Sequence, residues 1–211
     1  MAEQIRKSGN AVNGFDDTSV HEAAECLREG GVILVPTDTV YGLAVHPERP
    51  DAADRLFAMK RRPRSRNLPI MVASPDRLDP LGVIVTDAAA RLMEAFFPGP
   101  LSLALGLRTG ESPEWLADRV EVAVRIPDHH GMLALLRVAG PLLVTSANIH
   151  EQETRESVSS IVAALDGLPD LVIDGGTLQT VPSTLVNCNL PVPVIERPGI
   201  ITREEIEKVL E

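Results

Sequence analysis

The chain has 211 residues, a length that suits one large domain or two small ones. It is 44% hydrophobic and 24% charged, as in ordinary soluble globular proteins, and its 3% aromatic share forces an aliphatic core. A formal net charge of −10 excludes a surface that binds nucleic acid throughout, while leaving room for a local anion site.

Residues 1–17 are polar and rich in Gly and Asn, and are expected to form a loose lead-in to a domain over 18–211. They contain no apolar stretch of the secretory kind, and no run approaches the ~20 residues that cross a bilayer, so a cytoplasmic protein without membrane contact is expected. "TSVHEAAECLREGG" predicts a helix, with Ser19 as cap, Glu22 completing a capping box and Gly30 at the C-terminal turn. "GVILVP" predicts a strand, "DAADRLFAMK" a helix and "LPIMVA" a second buried strand. "TDAAARLMEAFF" is a helix stopped by "PGP". Strands "LSLALGL" and "VEVAVRIP", helix "GMLALLRVAG", strand "PLLVTS" and helix "ESVSSIVAALDG" follow. "LVID", "STLVNC" and "VPVIE" are late strands, and "TREEIEKVLE" is a final helix with a capping box of Thr202 and Glu205. This alternation, with several consecutive strands, predicts a single α/β domain on a twisted, mixed, open sheet.

Common catalytic signatures are missing. There is no P-loop, no GxGxxG after a strand, no GxSxG elbow and no HExxH. Cys26 and Cys188 are far apart, which points to neither a disulfide framework nor a zinc site. The five histidines lack metal-ligand spacing and read as surface or loop residues, so no protein-held metal is expected.

The remaining polar signals sit at strand ends, where loops of an α/β sheet converge on one crevice. In "PTDTVYGL", Thr37, Thr39 and Tyr41 share a face if the strand continues, and serve equally as backbone partners or ligand contacts. Arg125 lies within apolar "VAVRIP" and must reach a carboxylate or a bound anion, with Asp128 the nearest acid in sequence. Ser146 and Asn148 follow one strand, Ser183 opens another and Arg197 ends a third. The run Lys60, Arg61, Arg62, Arg64, Arg66 places five of the 20 cations in seven positions. It fits a solvated face, an RNA contact or a phosphate clamp, and it adjoins the buried strand "LPIMV".

Taken in order, "GGVILVPTDTVYGLAV", "KRRPRSRNLPIMV", "FPGPLSLAL", "VAVRIPDH", "PLLVTSAN", "VIDGG", "PSTLVN" and "IERPGII" resemble the YrdC/Sua5 family of threonylcarbamoyl-AMP synthases over residues 19–205. The resemblance is to the short, single-domain form. It implies a YrdC-like fold with a concave, basic cavity. It also implies condensation of L-threonine, bicarbonate and ATP to threonylcarbamoyl-AMP and pyrophosphate, for the tRNA threonylcarbamoyladenosine modification. Mg²⁺ would accompany ATP, and tRNA and downstream threonylcarbamoyl-transferase proteins would be partners. By resemblance, Thr37, Thr39, Tyr41, Arg125, Ser146 and Ser183 bind threonine, while Lys60, Arg62, Arg66, Asn148 and Arg197 bind ATP. Lys60 and Arg62, the Lys-x-Arg pair, are the expected catalytic groups. Two departures stand out: "SANIHEQET" replaces a common Ser-Gly continuation, and Met71 stands where some members have a histidine. The competing readings are an RNA-binding module using residues 60–66 and a carbamoyl-transfer relative with another acceptor. Scarce aromatics and negative charge count against the first.

Overall fold

The computed structural model describes residues 5–7 and 16–211. Most of the expected lead-in therefore lies outside the described residues. Ten strands form one mixed sheet in the order β1-β8-β2-β3-β7-β4-β6-β5-β9-β10. The strands are β1 (Ile5–Lys7), β2 (Ile33–Val35), β3 (Gly42–Val45), β4 (Ile70–Met71), β5 (Leu101–Gly106), β6 (Glu121–Arg125), β7 (Leu142–Ser146), β8 (Leu171–Asp174), β9 (Thr184–Asn187) and β10 (Val194–Arg197). Pairing is parallel for β1/β8, β2/β8, β4/β6 and β5/β9, and antiparallel elsewhere.

The period of two along each strand divides the core in two. Ile33, Val35, Ala44, Leu142 and Val144 face helices α1 (Asp17–Arg28) and α4 (His130–Ala139). Leu34, Leu43, Val45, Leu103 and Leu143 face the other side, against α2 (Pro50–Met59), α3 (Asp87–Phe96), α5 (Val158–Ala164) and α6 (Arg203–Leu210). Both faces of the sheet are covered, which is why its central strands read as continuous apolar runs.

Three local readings change. Asp16, rather than Ser19, caps α1: its side chain accepts the Ser19 amide at 2.7 Å, which makes Ser19 the third helical residue. His129 keeps the expected loop position, before α4, but is buried there, with its Nδ1 accepting the Met132 amide. Residues 36–41 form a loop between antiparallel β2 and β3, so Thr37, Thr39 and Tyr41 are not placed by strand alternation. Strand β3 went unrecognised because its four residues follow that polar loop without a break in pattern. The capping box of Thr202 and Glu205 is present.

Candidate active site

The polar loops meet at one end of the sheet and enclose two adjoining chambers. The inner chamber, about 110 Å³, is lined by Thr37, Thr39 and Tyr41 of the 36–41 loop, Met71 of β4, Ser102 of β5, Arg125 of β6, Ser146 of β7 and Ser183 before β9, with Arg62 and Arg197. The outer chamber, about 1030 Å³, lies between the 148–157 segment and Thr177, Thr180 and Pro182. Ser146, Pro182 and Arg197 line both. The outer walls are tied together: Thr154 Oγ1 donates to the Thr180 carbonyl at 2.5 Å, and the Leu178 amide donates to the Glu156 carbonyl at 2.9 Å.

The inner chamber is organised by hydroxyls and guanidinium groups. Arg125 is only 4% exposed. Its Nε donates to the Gly99 carbonyl at 3.1 Å, Nη1 to Thr39 Oγ1 at 3.0 Å and Nη2 to Asp38 Oδ1 at 2.7 Å. The required carboxylate is thus Asp38, not Asp128. Burial alone pushes Arg125 below its ordinary pKa, and Asp38 works against that shift. Ser102 Oγ and Ser183 Oγ lie 2.9 Å apart, and Arg197 reaches back from β10 to the Ser183 carbonyl and hydroxyl. Arg197 is held below its ordinary value by burial first, then by Arg125 and Arg62. Arg62 donates to the Arg66 and Asn67 carbonyls and is depressed by burial and by Arg66.

Tyr41 lines the chamber but commits its hydroxyl elsewhere. The hydroxyl donates to the Gly176 carbonyl at 2.7 Å and accepts the Gly175 amide at 2.9 Å, and burial pushes its pKa up to about 12.

The basic run divides by side-chain direction. Arg61 pairs with Asp166 at 3.0 Å, and Arg64 pairs with Asp54, both at exposed sites. Arg66 is exposed and is not among the residues lining either chamber. Arg62 faces the inner chamber, and Lys60 is buried. Only part of the run is therefore brought to the site. Asn148 lines the outer chamber, where its Oδ1 accepts the Ser146 hydroxyl at 2.5 Å. Among the described residues, no three metal-ligating side chains converge.

The family model of Sua5, YciO and YrdC proteins, described as "Telomere recombination", matches residues 25–199. The chain belongs to the Sua5/YciO/YrdC family. Within this family it is 36% identical over 198 residues to threonylcarbamoyl-AMP synthase of Bacillus subtilis, covering 92% of this chain and 57% of the relative. It is 33% identical to threonylcarbamoyl-AMP synthase of Pyrococcus abyssi, covering 95% of this chain and 60% of the relative. The crystal structure of P. abyssi Sua5 complexed with L-threonine superimposes with a TM-score of 0.87 at 32% identity, over 98% of this chain and 60% of that one. Escherichia coli YciO gives a TM-score of 0.83 at 28% identity, over 96% and 98%. The chain thus spans 57% and 60% of the two curated relatives.

Two residues of this candidate site were missed in the sequence. Asp38 sits between the two threonines of "TDT", and its role depends on a strand 87 positions away. Ser102, a lone hydroxyl in the apolar strand "LSLAL", carried the signal of a polar residue with no local partner.

Proposed function

We propose that this protein is an L-threonylcarbamoyladenylate synthase, condensing L-threonine, bicarbonate and ATP to threonylcarbamoyl-AMP and pyrophosphate. The observation that carries the reading is the seam of Ser146, Pro182 and Arg197 shared by a small inner and a large outer chamber. A reaction that joins a small carboxylate to the α-phosphorus of a nucleotide needs two such chambers meeting at one place.

Threonine would occupy the inner chamber, against Thr37, Thr39, Tyr41, Ser146 and Ser183. A guanidinium has five N–H donors. Three of Arg125's are committed to Gly99, Thr39 and Asp38, leaving two for the substrate carboxylate. ATP would lie across the outer chamber, with Asn148 and Arg197 near its phosphates and Arg62 at its inner edge. The threonine amine adds to bicarbonate-derived CO₂ to give a carbamate. A carbamate oxygen then forms a bond to the α-phosphorus, and the bond to the pyrophosphate oxygen breaks. Negative charge spreads over phosphoryl oxygens, so preorganised cations are the catalytic requirement. Arg197, the one charged residue on the shared seam, and Arg62 supply them. Mg²⁺ carried on the triphosphate would offset Glu153 and Glu156 on the outer wall. The product would pass to transferases that modify tRNA, in the cytoplasm.

The test is pyrophosphate release, with mass spectrometry for threonylcarbamoyl-AMP. Release should require threonine, bicarbonate and ATP together. Release unchanged without threonine would remove the proposal.

A further inference from the structure

Lys60 behaves unlike the rest of the basic run. It is 1% exposed and is not among the residues lining either chamber. Its ammonium turns to the main chain after β7, donating to the Ser146 carbonyl and, at 2.5 Å, to the Asn148 carbonyl. Its own carbonyl accepts the His150 amide at 2.8 Å. One residue therefore fastens positions 146, 148 and 150 of a single turn.

The need for such a fastening follows from the sheet. The β3/β7 pairing runs to Gly42 opposite Ser146 and closes with the Ala147 amide donating to the Tyr41 carbonyl at 2.8 Å, while the Ser146 and Asn148 carbonyls turn to Lys60 instead. Buried carbonyl oxygens left unpaired are costly. The turn also fixes where two chamber-lining side chains point, since Ser146 Oγ donates to Asn148 Oδ1 and Asn148 Nδ2 donates to the Ile149 and Gln152 carbonyls. A slender ammonium stem suits two carbonyls side by side, and a neutral amine still offers two N–H groups, so the fastening survives loss of a proton.

We infer that Lys60 is a positioning residue that sets the conformation of the Ser146–His150 turn and acts on the substrates through Ser146 and Asn148, without touching phosphate. The inference rests on the synthase reading for its catalytic consequence. It differs from the direct phosphate contact that a Lys-x-Arg pair suggests.

Three measurements on Lys60→Met, which keeps the stem length and removes the donors, test it. Hydrogen–deuterium exchange should be about tenfold or more faster at the Ala147, His150 and Gln152 amides, and unchanged in β2 and β5. Calorimetry with inorganic tripolyphosphate should give an affinity within about twofold of wild type, whereas Arg62→Gln should weaken it by roughly tenfold. In pyrophosphate release, Lys60→Met should lower kcat by about tenfold or more, and adding it to Asn148→Ala should cost less than about threefold further, because coupled residues are non-additive. Unchanged exchange in the turn, tripolyphosphate loss matching that of Arg62→Gln, or additive effects with Asn148→Ala would each overturn the inference. If Lys60→Met does not fold, Lys60→Leu, which also lacks donors, takes its place with the same expectations. A wild-type protein without threonine-dependent pyrophosphate release would defeat the synthase reading alone, because the exchange and tripolyphosphate measurements decide Lys60 without turnover.

Discussion

Asp38 and Arg125, 87 positions apart in the chain, form a buried ion pair at 2.7 Å beside the inner chamber. The pair cancels the charge of a residue that the family resemblance assigns to threonine. The positive charge left uncancelled lies on Arg62 and Arg197, whose hydrogen bonds run to carbonyl and hydroxyl oxygens. Anion attraction in the chamber should therefore centre on those two residues, with Arg125 contributing direction more than net charge.

Breaking the pair should be expensive. Asp38→Asn keeps the shape but leaves a buried guanidinium without its countercharge, which typically costs about 3–5 kcal/mol. Urea unfolding should show a loss of that order, partly recovered by saturating L-threonine through its carboxylate. A loss under about 1 kcal/mol would mean that the pair contributes little to the fold.

The basic run should split functionally as it splits in space. Charge-assisted contacts contribute about 1.5–3 kcal/mol, so Arg62→Ala should weaken ATP binding by roughly ten- to a hundredfold. Arg61→Ala and Arg64→Ala remove only exposed pairs with Asp166 and Asp54, and should change affinity by less than about threefold. Isothermal calorimetry on the three variants checks the ordering, and equal losses across all three would argue for a diffuse basic face instead.

Lys60 gives a pH dependence of definite sign. Burial, then Arg62, lowers its pKa from 10.5 to about 7. Below about pH 7 both folded and unfolded chains hold the proton, and the burial penalty is complete. Between 7 and 10.5 the unfolded chain binds more protons, so stability rises with pH, by on the order of 4–5 kcal/mol at most. Tyr41, Cys26 and Cys188 have raised pKa values and act in the opposite direction at alkaline pH, but they are common to wild type and Lys60→Met and cancel in the difference. Unfolding free energies at pH 6.5 and 9.5 should rise more for wild type than for Lys60→Met, and parallel behaviour would refute the assignment.

Selectivity for threonine should rest on its hydroxyl. The inner chamber is lined by the hydroxyl-bearing residues Thr37, Thr39, Ser102, Ser146 and Ser183, whose oxygens keep lone pairs for a substrate hydroxyl that an analogue lacking one cannot use. Valine should therefore show a kcat/KM lower by roughly a hundredfold or more. Valine turnover matching that of threonine would place the amino acid outside this chamber.

The sequence by itself determined most of the fold. Apolar runs such as "PLLVTS" and "LSLALGL" are buried on both faces, and Thr202 with Glu205 forms a local cap, so each carries its own signal. It also determined that Arg125 needs an anion, because an arginine in an apolar strand admits no other reading. Only the tertiary structure decided which anion. Asp38 and Asp128 are equally acidic as letters, and the choice depends on where the 36–41 loop meets β6. The same holds for the cations at 60–66. Adjacent residues at a helix end point in different directions, so Lys60 enters the interior while Arg61 turns to Asp166. Periodicity records which face of an element is apolar. It does not record which distant backbone carbonyl or carboxylate will stand opposite a given side chain, since that is set by how strands far apart in the chain pack into one sheet.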